Sequence, residues 1–157
     1  MTKYIYENYV DVVENEDGIL QSISFKNHEK FNFAFDIVDA IAERSPDKLA
    51  MLHIAKNKRK REFTFKDMSW YAAEAANYCQ FLGIKKGYRV LLVVKRHYQF
   101  RFALLGLHKL GAVAIPATHL LKPQDFEYRF KAAGVKAIIC TSDDNVAHDV
   151  ELAMEDV

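Results

Sequence analysis

Six histidines, His28, His53, His97, His108, His119 and His148, are the side chains here best suited to moving protons near neutral pH. No two stand three or four residues apart, so no helical face presents a pair. Spacing alone gives none of them the positioned partner that general acid–base work requires. Arg96, His97 and His119 differ from the rest by place. Each follows an apolar run that reads as a strand, and open α/β sheets bind ligands in the crevice beyond the carboxyl ends of their strands. With Thr118, next to His119, they form the candidate set of ligand contacts. No residue is assigned a catalytic role and none a metal.

The other chemistry-bearing patterns are absent or ordinary. There is no G-x-G-x-x-G after a strand, no G-x-x-x-x-G-K-[ST] phosphate loop and no G-x-S-x-G elbow. The two cysteines, Cys79 and Cys140, lie far apart and have no ligand spacing to a histidine or to each other. They read as small buried thiols of a reducing compartment, which points to the cytoplasm. Lys56, Lys58, Arg59, Lys60 and Arg61 form a cationic run around Asn57. A phosphate or nucleic-acid patch is one reading of it. A solvated hairpin turn is the preferred one, because surface charge runs are mostly hydration.

The elements that must position these residues follow from periodicity. Residues 1–30 are acidic and aromatic and read as an arm, with a short helix or extended stretch and then a strand at Ile19 to Phe25. From Phe31, Phe35, Val38, Ile41 and Ala42 recur at helical spacing up to Ser45-Pro46. Leu49 to Ala55 and Glu62 to Phe65 predict a small β-hairpin around the basic run. A long helix then runs from Thr64 or Lys66 to Leu82, with Tyr71, Ala72, Ala75, Ala76 and Cys79 on one face. Arg89 to Val94 is a continuous apolar strand of the kind buried on both faces of a parallel sheet. Helix, strand, helix and strand follow at Tyr98 to Leu110, Ala112 to Ile115, Pro123 to Ala133 and Lys136 to Cys140. Ser142 or Asp143 is expected to cap a last helix, and residues 143–157 read as a surface helix or an acidic tail. This alternation predicts an α/β domain over 31–157: a partial doubly wound, mainly parallel sheet flanked by helices.

Two blocks within that span resemble a known family. FTFKDMSWYAAEAANYCQFLGIKKGYRVLLVVKRHYQF is similar to the opening of the adenylate-forming enzymes. LLGLHKLGAVAIPATHLLKPQDFEYRF, with Ile115-Pro116-Ala117-Thr118 and then Asp125 and Tyr128-Arg129, resembles the acyl-CoA synthetases, and their medium-chain branch most of all. The resemblance covers Phe31 to Cys140. It implies the N-terminal part of an AMP-forming acyl-CoA synthetase, whose whole enzyme uses ATP, Mg²⁺ and CoA in two steps. The phosphate-binding loop, the ribose-binding Asp and the C-terminal catalytic Lys of that family lie downstream of the last strand read here. The resemblance therefore implies a chain inactive alone, with no cofactor bound to it, and makes Arg96, His97, Thr118 and His119 candidate contacts of a CoA or substrate crevice. In acetate-specific relatives, arginines after the third strand hold the CoA phosphate; residues 145–149 here contain none.

Composition limits the alternatives. Half the residues are apolar and the formal net charge is +1, which points globally to neither nucleic acid nor an anionic membrane. No apolar run approaches the roughly 20 residues of a membrane span. The expected partner is the remainder of a synthetase, or a second copy covering the Tyr71, Ala72, Ala75 and Ala76 face. The alternative is a stand-alone, non-catalytic binding or interaction module built on the same half-fold.

Overall fold

A computed structural model describes residues 4–155. The last two acidic-tail residues, Asp156 and Val157, and the first three residues lie outside them. A 3₁₀ turn at Ile5–Asn8 leads into a hairpin of β1 (Val10–Glu14) and β2 (Leu20–Phe25). β2 lies where the sequence predicts a strand. β1 replaces the expected helix or arm: Val10, Val12 and Val13 favour extended backbone. The Asn15 side chain accepts from the Asp17 and Ile19 amides to close the turn, and Gly18 takes φ +75°.

The helix predicted after Phe31 begins as a π-helical segment, Ala34–Asp39, and continues as α1, Ala40–Arg44. Lys109 forms an ion pair with Asp39 and lies 4.6 Å from the Phe35 ring centroid, tying this segment to the third helix described below. Next to it, burial pushes the His108 imidazole below its ordinary pKa.

The expected hairpin is present as β3 (Leu49–Ile54) paired antiparallel with β4 (Lys60–Thr64). Helix α2, Phe65–Phe81, starts at a capping box. The Thr64 hydroxyl accepts from the Asp67 amide, and the Asp67 carboxylate accepts from the Thr64 amide at 2.8 Å. Such a cap contributes about 1 kcal/mol. These bonds from Thr64, backbone first, hold the Asp67 carboxyl below its usual range.

Beyond α2 the chain alternates as predicted: β5 (Arg89–Val93), α3 (Gln99–Leu110), β6 (Val113–Pro116), α4 (Pro123–Ala133), β7 (Ala137–Cys140) and α5 (Val146–Met154). The three strands are parallel in the order β6-β5-β7. Residues Val90 to Val93 are fully buried because β5 is central and covered on both faces. Leu91 and Val93 pack with Phe126 and Phe130 of α4 and Val146 and Val150 of α5. Val90 packs the other way, with Cys79 of α2 and Leu107 of α3. Both cysteines are free, and burial pushes both thiols up in pKa.

Two expectations need correction. Ala72 and Ala76, expected on an open face of α2, are buried against α3. Gly106 of α3 sits so close there that a methyl group would meet Ala75 Cβ at 2.8 Å. The small side chains serve helix–helix approach inside this chain. Neither Ser142 nor Asp143 caps the last helix. Asp143–Asn145 form a 3₁₀ turn with Asp144 and Asn145 in the left-handed region, and α5 starts at Val146 with no side-chain cap. The Asp143 carboxylate, expected as a cap, bonds instead to His97 in the loop after β5.

Candidate functional site

In a parallel sheet ordered β6-β5-β7 the chain leaves β5 for one side and returns on the other. The connections diverge between β5 and β7, and such switch points are where open α/β sheets bind ligands. The loop after β5 carries Lys95, Arg96 and His97; the loop after β7 carries Thr141, Asp143 and Asp144. An open crevice of about 650 Å³ lies there, lined by Lys95, Arg96, His97 and Asp143 together with His119 from the loop after β6. The fourth wall is the β3–β4 hairpin, through His53, Ile54 and Lys56.

Three of the four residues singled out from sequence therefore meet in one cavity: Arg96, His97 and His119. Thr118 does not line it. Its hydroxyl accepts from the Leu120 amide at 3.3 Å and shapes the loop that carries His119. Sequence reasoning missed His53, Lys56, Lys95 and Asp143. Lys56 belongs to the run read as a solvated turn, and Lys95 directly precedes Arg96, so position at a strand end was an available signal for both. No local pattern marks His53 or Asp143, which reach the site through long-range packing.

A histidine–carboxylate hydrogen bond and an ion pair hold the neighbouring loops together. His97 Nε2 lies 2.7 Å from Asp143 Oδ2 and 3.4 Å from the Thr141 hydroxyl, and Lys95 pairs with Asp144. The hairpin wall is fixed by Tyr98. Arg61 donates to its hydroxyl and lies 5.0 Å from its ring centroid, while His53 meets the ring edge-on at 5.3 Å. Among the described residues, Lys56 and Arg96 are in no ion pair. The crevice thus presents two uncompensated cations and three imidazoles against one carboxylate already engaged by His97. That arrangement attracts an anion of phosphate type. Among the described residues no group of three or more His, Cys, Asp or Glu side chains gathers to hold a metal, and no step is assigned to one.

The hydrogen bond from His97 is the main cause holding the Asp143 carboxyl below the usual range; desolvation opposes it, and the Thr141 bond and the charges of His97 and Lys95 add to it. A depressed native pKa means that the unfolded state binds more protons, so this contribution is present above the unfolded value of about 3.9 and is lost as pH falls through the native value. Asp143→Asn should therefore lower stability at pH 5 to 6, and the two urea midpoints should converge as pH falls below the ordinary carboxylate range. A constant offset across that range would show that the pair does not contribute in this way.

A family model described as AMP-binding enzyme matches residues 38–157. The chain belongs to that family. It is 31% identical over 126 residues to acyl-coenzyme A synthetase ACSM5, mitochondrial, of Rattus norvegicus, covering 76% of this chain and 22% of that protein. It is 28% identical over 130 residues to a long-chain-fatty-acid–CoA ligase of Salmonella typhimurium, covering 82% of this chain and 22% of the relative. Among solved structures, a benzoate CoA ligase from Burkholderia xenovorans superposes with a TM-score of 0.67 at 26% identity, over 81% of this chain and 24% of the other. The chain thus spans about a fifth of the length of the relatives it matches, and it is their N-terminal part. Its α/β architecture is that of the adenylate-forming ligases, and the relatives are acyl-CoA synthetases, as the two sequence blocks imply. Among the described residues no helix is long and apolar enough to cross a membrane.

Proposed function

We propose that this chain is the N-terminal α/β part of a cytoplasmic acyl-CoA synthetase, and that its switch-point crevice faces the phosphates of CoA. The parent reaction joins a carboxylate to the α-phosphate of ATP, releasing pyrophosphate, and then transfers the acyl group to the CoA thiol with loss of AMP. The observation that carries the reading is the convergence of Arg96, Lys56 and the imidazoles of His97 and His119 on one crevice in a chain of this family. Arg96 supplies a planar fork suited to phosphate oxygens, and Lys56 a mobile point charge on the facing wall. The His97–Asp143 pair keeps the two loops at a fixed separation.

Adenylyl transfer needs donors arranged around the triphosphate where charge develops. Nothing described on these residues supplies such a set, so the chain alone binds and does not turn over. The partner is the remainder of the synthetase. A groove of about 230 Å³ beside the free edge of β7, lined by Phe130, Val135, Ile138 and Met154, offers the apolar wall against which further sheet would add.

The test is carboxylate-dependent pyrophosphate release by the purified chain with ATP, Mg²⁺ and CoA. The expected result is release no faster than in a protein-free control. Turnover that depends on both protein and carboxylate would overturn the division of labour proposed here.

A further inference from the structure

The turn between β7 and α5 works against its own local preferences. Asp144 and Asn145 are successive non-glycine residues at φ +53° and +63°, in the left-handed region that L residues disfavour. Asn145 precedes α5 and is of a type that caps helices well, but a capping residue takes extended backbone. Held left-handed, it makes no side-chain bond to the helix. So α5 begins uncapped although Ser142, Asp143, Asp144 and Asn145, all of capping type, lead into it.

What the turn makes instead is contact across the crevice. Asp143 Oδ2 lies 2.7 Å from His97 Nε2, and Asp144 pairs with Lys95. His97 and Lys95 both line the cavity, with Arg96 and Lys56. Carboxylate oxygens therefore stand on donors that the oxygens of a phosphate would use. These contacts are open to water: the Asp143 and Asp144 side chains are 47% and 64% exposed. Exposed pairs of this kind contribute little, and a phosphate monoester brings more negative charge and three acceptor oxygens. In the free chain the two contacts fix the separation of the loops, and a phosphate held by His97 and Lys95 bridges the same loops. The displaced residues also have a destination. A turn relaxed out of the left-handed region offers capping side chains to the first amides of α5.

We propose that Asp143 and Asp144 form a displaceable acidic gate on the crevice, holding His97 and Lys95 in the free chain and releasing them when a phosphate group enters. A gate of this kind, which presupposes the phosphate reading of the crevice, acts oppositely to a scaffold. Removing its carboxylates tightens anion binding, even though Asp143 contributes to the stability of the free chain.

The experiment is calorimetric titration of CoA, and separately of inorganic pyrophosphate, into the full chain and into Asp143→Asn, Asp144→Asn and the double variant. At about 0.1 M salt each substitution should tighten both anions about threefold, and the two together about tenfold. The gain should shrink at about 0.5 M salt, where screening is stronger. Glu74→Gln removes an exposed charge from α2, away from the crevice, and should leave both affinities within about twofold. Both gate positions are exposed, so circular dichroism should show every variant folded, and each single variant tests the gate by itself.

Unchanged or weaker binding by the double variant would overturn the gate, because the carboxylates would then be holding the cations in place. If CoA binds the wild type and is lost with Arg96→Gln, that result leaves the CoA reading intact. If CoA binds no form while pyrophosphate binds the double variant more tightly than the wild type, the gate stands and the CoA reading falls. Absence of binding by either anion to any form overturns both.

Discussion

Phe126→Ala should cost about 4 kcal/mol, read as a shift of the urea unfolding midpoint without a change in its slope. Phe126 is fully buried and its ring stacks on Phe130 at 6.2 Å. It fills the space between the β5 side chains Leu91 and Val93 and the α5 side chains Val146 and Val150. Removing the ring leaves a cavity that three elements would have to move together to fill. Domains of this size have a total stability of about 5–15 kcal/mol, so the loss is a large share of it. The effect should also reach the crevice: the loop bearing Asp143 leads directly into α5, whose position depends on this packing. A loss under about 1 kcal/mol would mean that α4 and α5 are not held on the sheet as described.

Gly106→Val is the second large effect, at about 3 kcal/mol, and its cause is the reverse. A Cβ at Gly106 would lie 2.8 Å from Ala75 Cβ, 2.9 Å from the Ala76 amide nitrogen and 3.1 Å from the Ala72 carbonyl oxygen. Two of these are backbone atoms of α2 and cannot rotate away. The helices must separate, which loosens Phe102 and Leu105 against Met68 and Ala72 in the same core. Gly106→Ala should fall between wild type and valine in a denaturation series. An alanine variant as stable as wild type would show that α2 and α3 pack less closely than these distances require.

Gly106 also shows what the sequence made legible and what it did not. The run of small residues on α2 was visible, but a run says nothing about which surface it meets. An unpaired face and a close helix contact produce the same spacing. The parallel sheet was legible because burial on both faces forces a continuous apolar strand, and Val90 to Val93 leave little other reading. β1 was hidden because its valines are interrupted by Asp11 and its pairing depends on the Asn15–Gly18 turn. The start of α5 was misplaced because Ser142 and Asp143 are good capping types, and the competing partner of Asp143, His97, lies 46 residues earlier. In the crevice, strand-end position identified Arg96, His97 and His119. The opposite wall comes from a separate hairpin held by Arg61 and Tyr98, a contact that no local pattern encodes.

A calorimetric titration of CoA into the chain, with pantetheine as the phosphate-free control, tests most directly whether the crevice is a phosphate site. Two charge-assisted contacts of about 2 kcal/mol each correspond to a Kd of about 1 mM. Arg96→Gln should weaken CoA binding by about tenfold or more, while leaving the urea midpoint within about 0.5 kcal/mol of wild type because Arg96 is exposed. CoA binding at that level, lost with Arg96 and absent for pantetheine, is the expected result. Equal binding of CoA and pantetheine, or CoA binding indifferent to Arg96, would contradict the assignment.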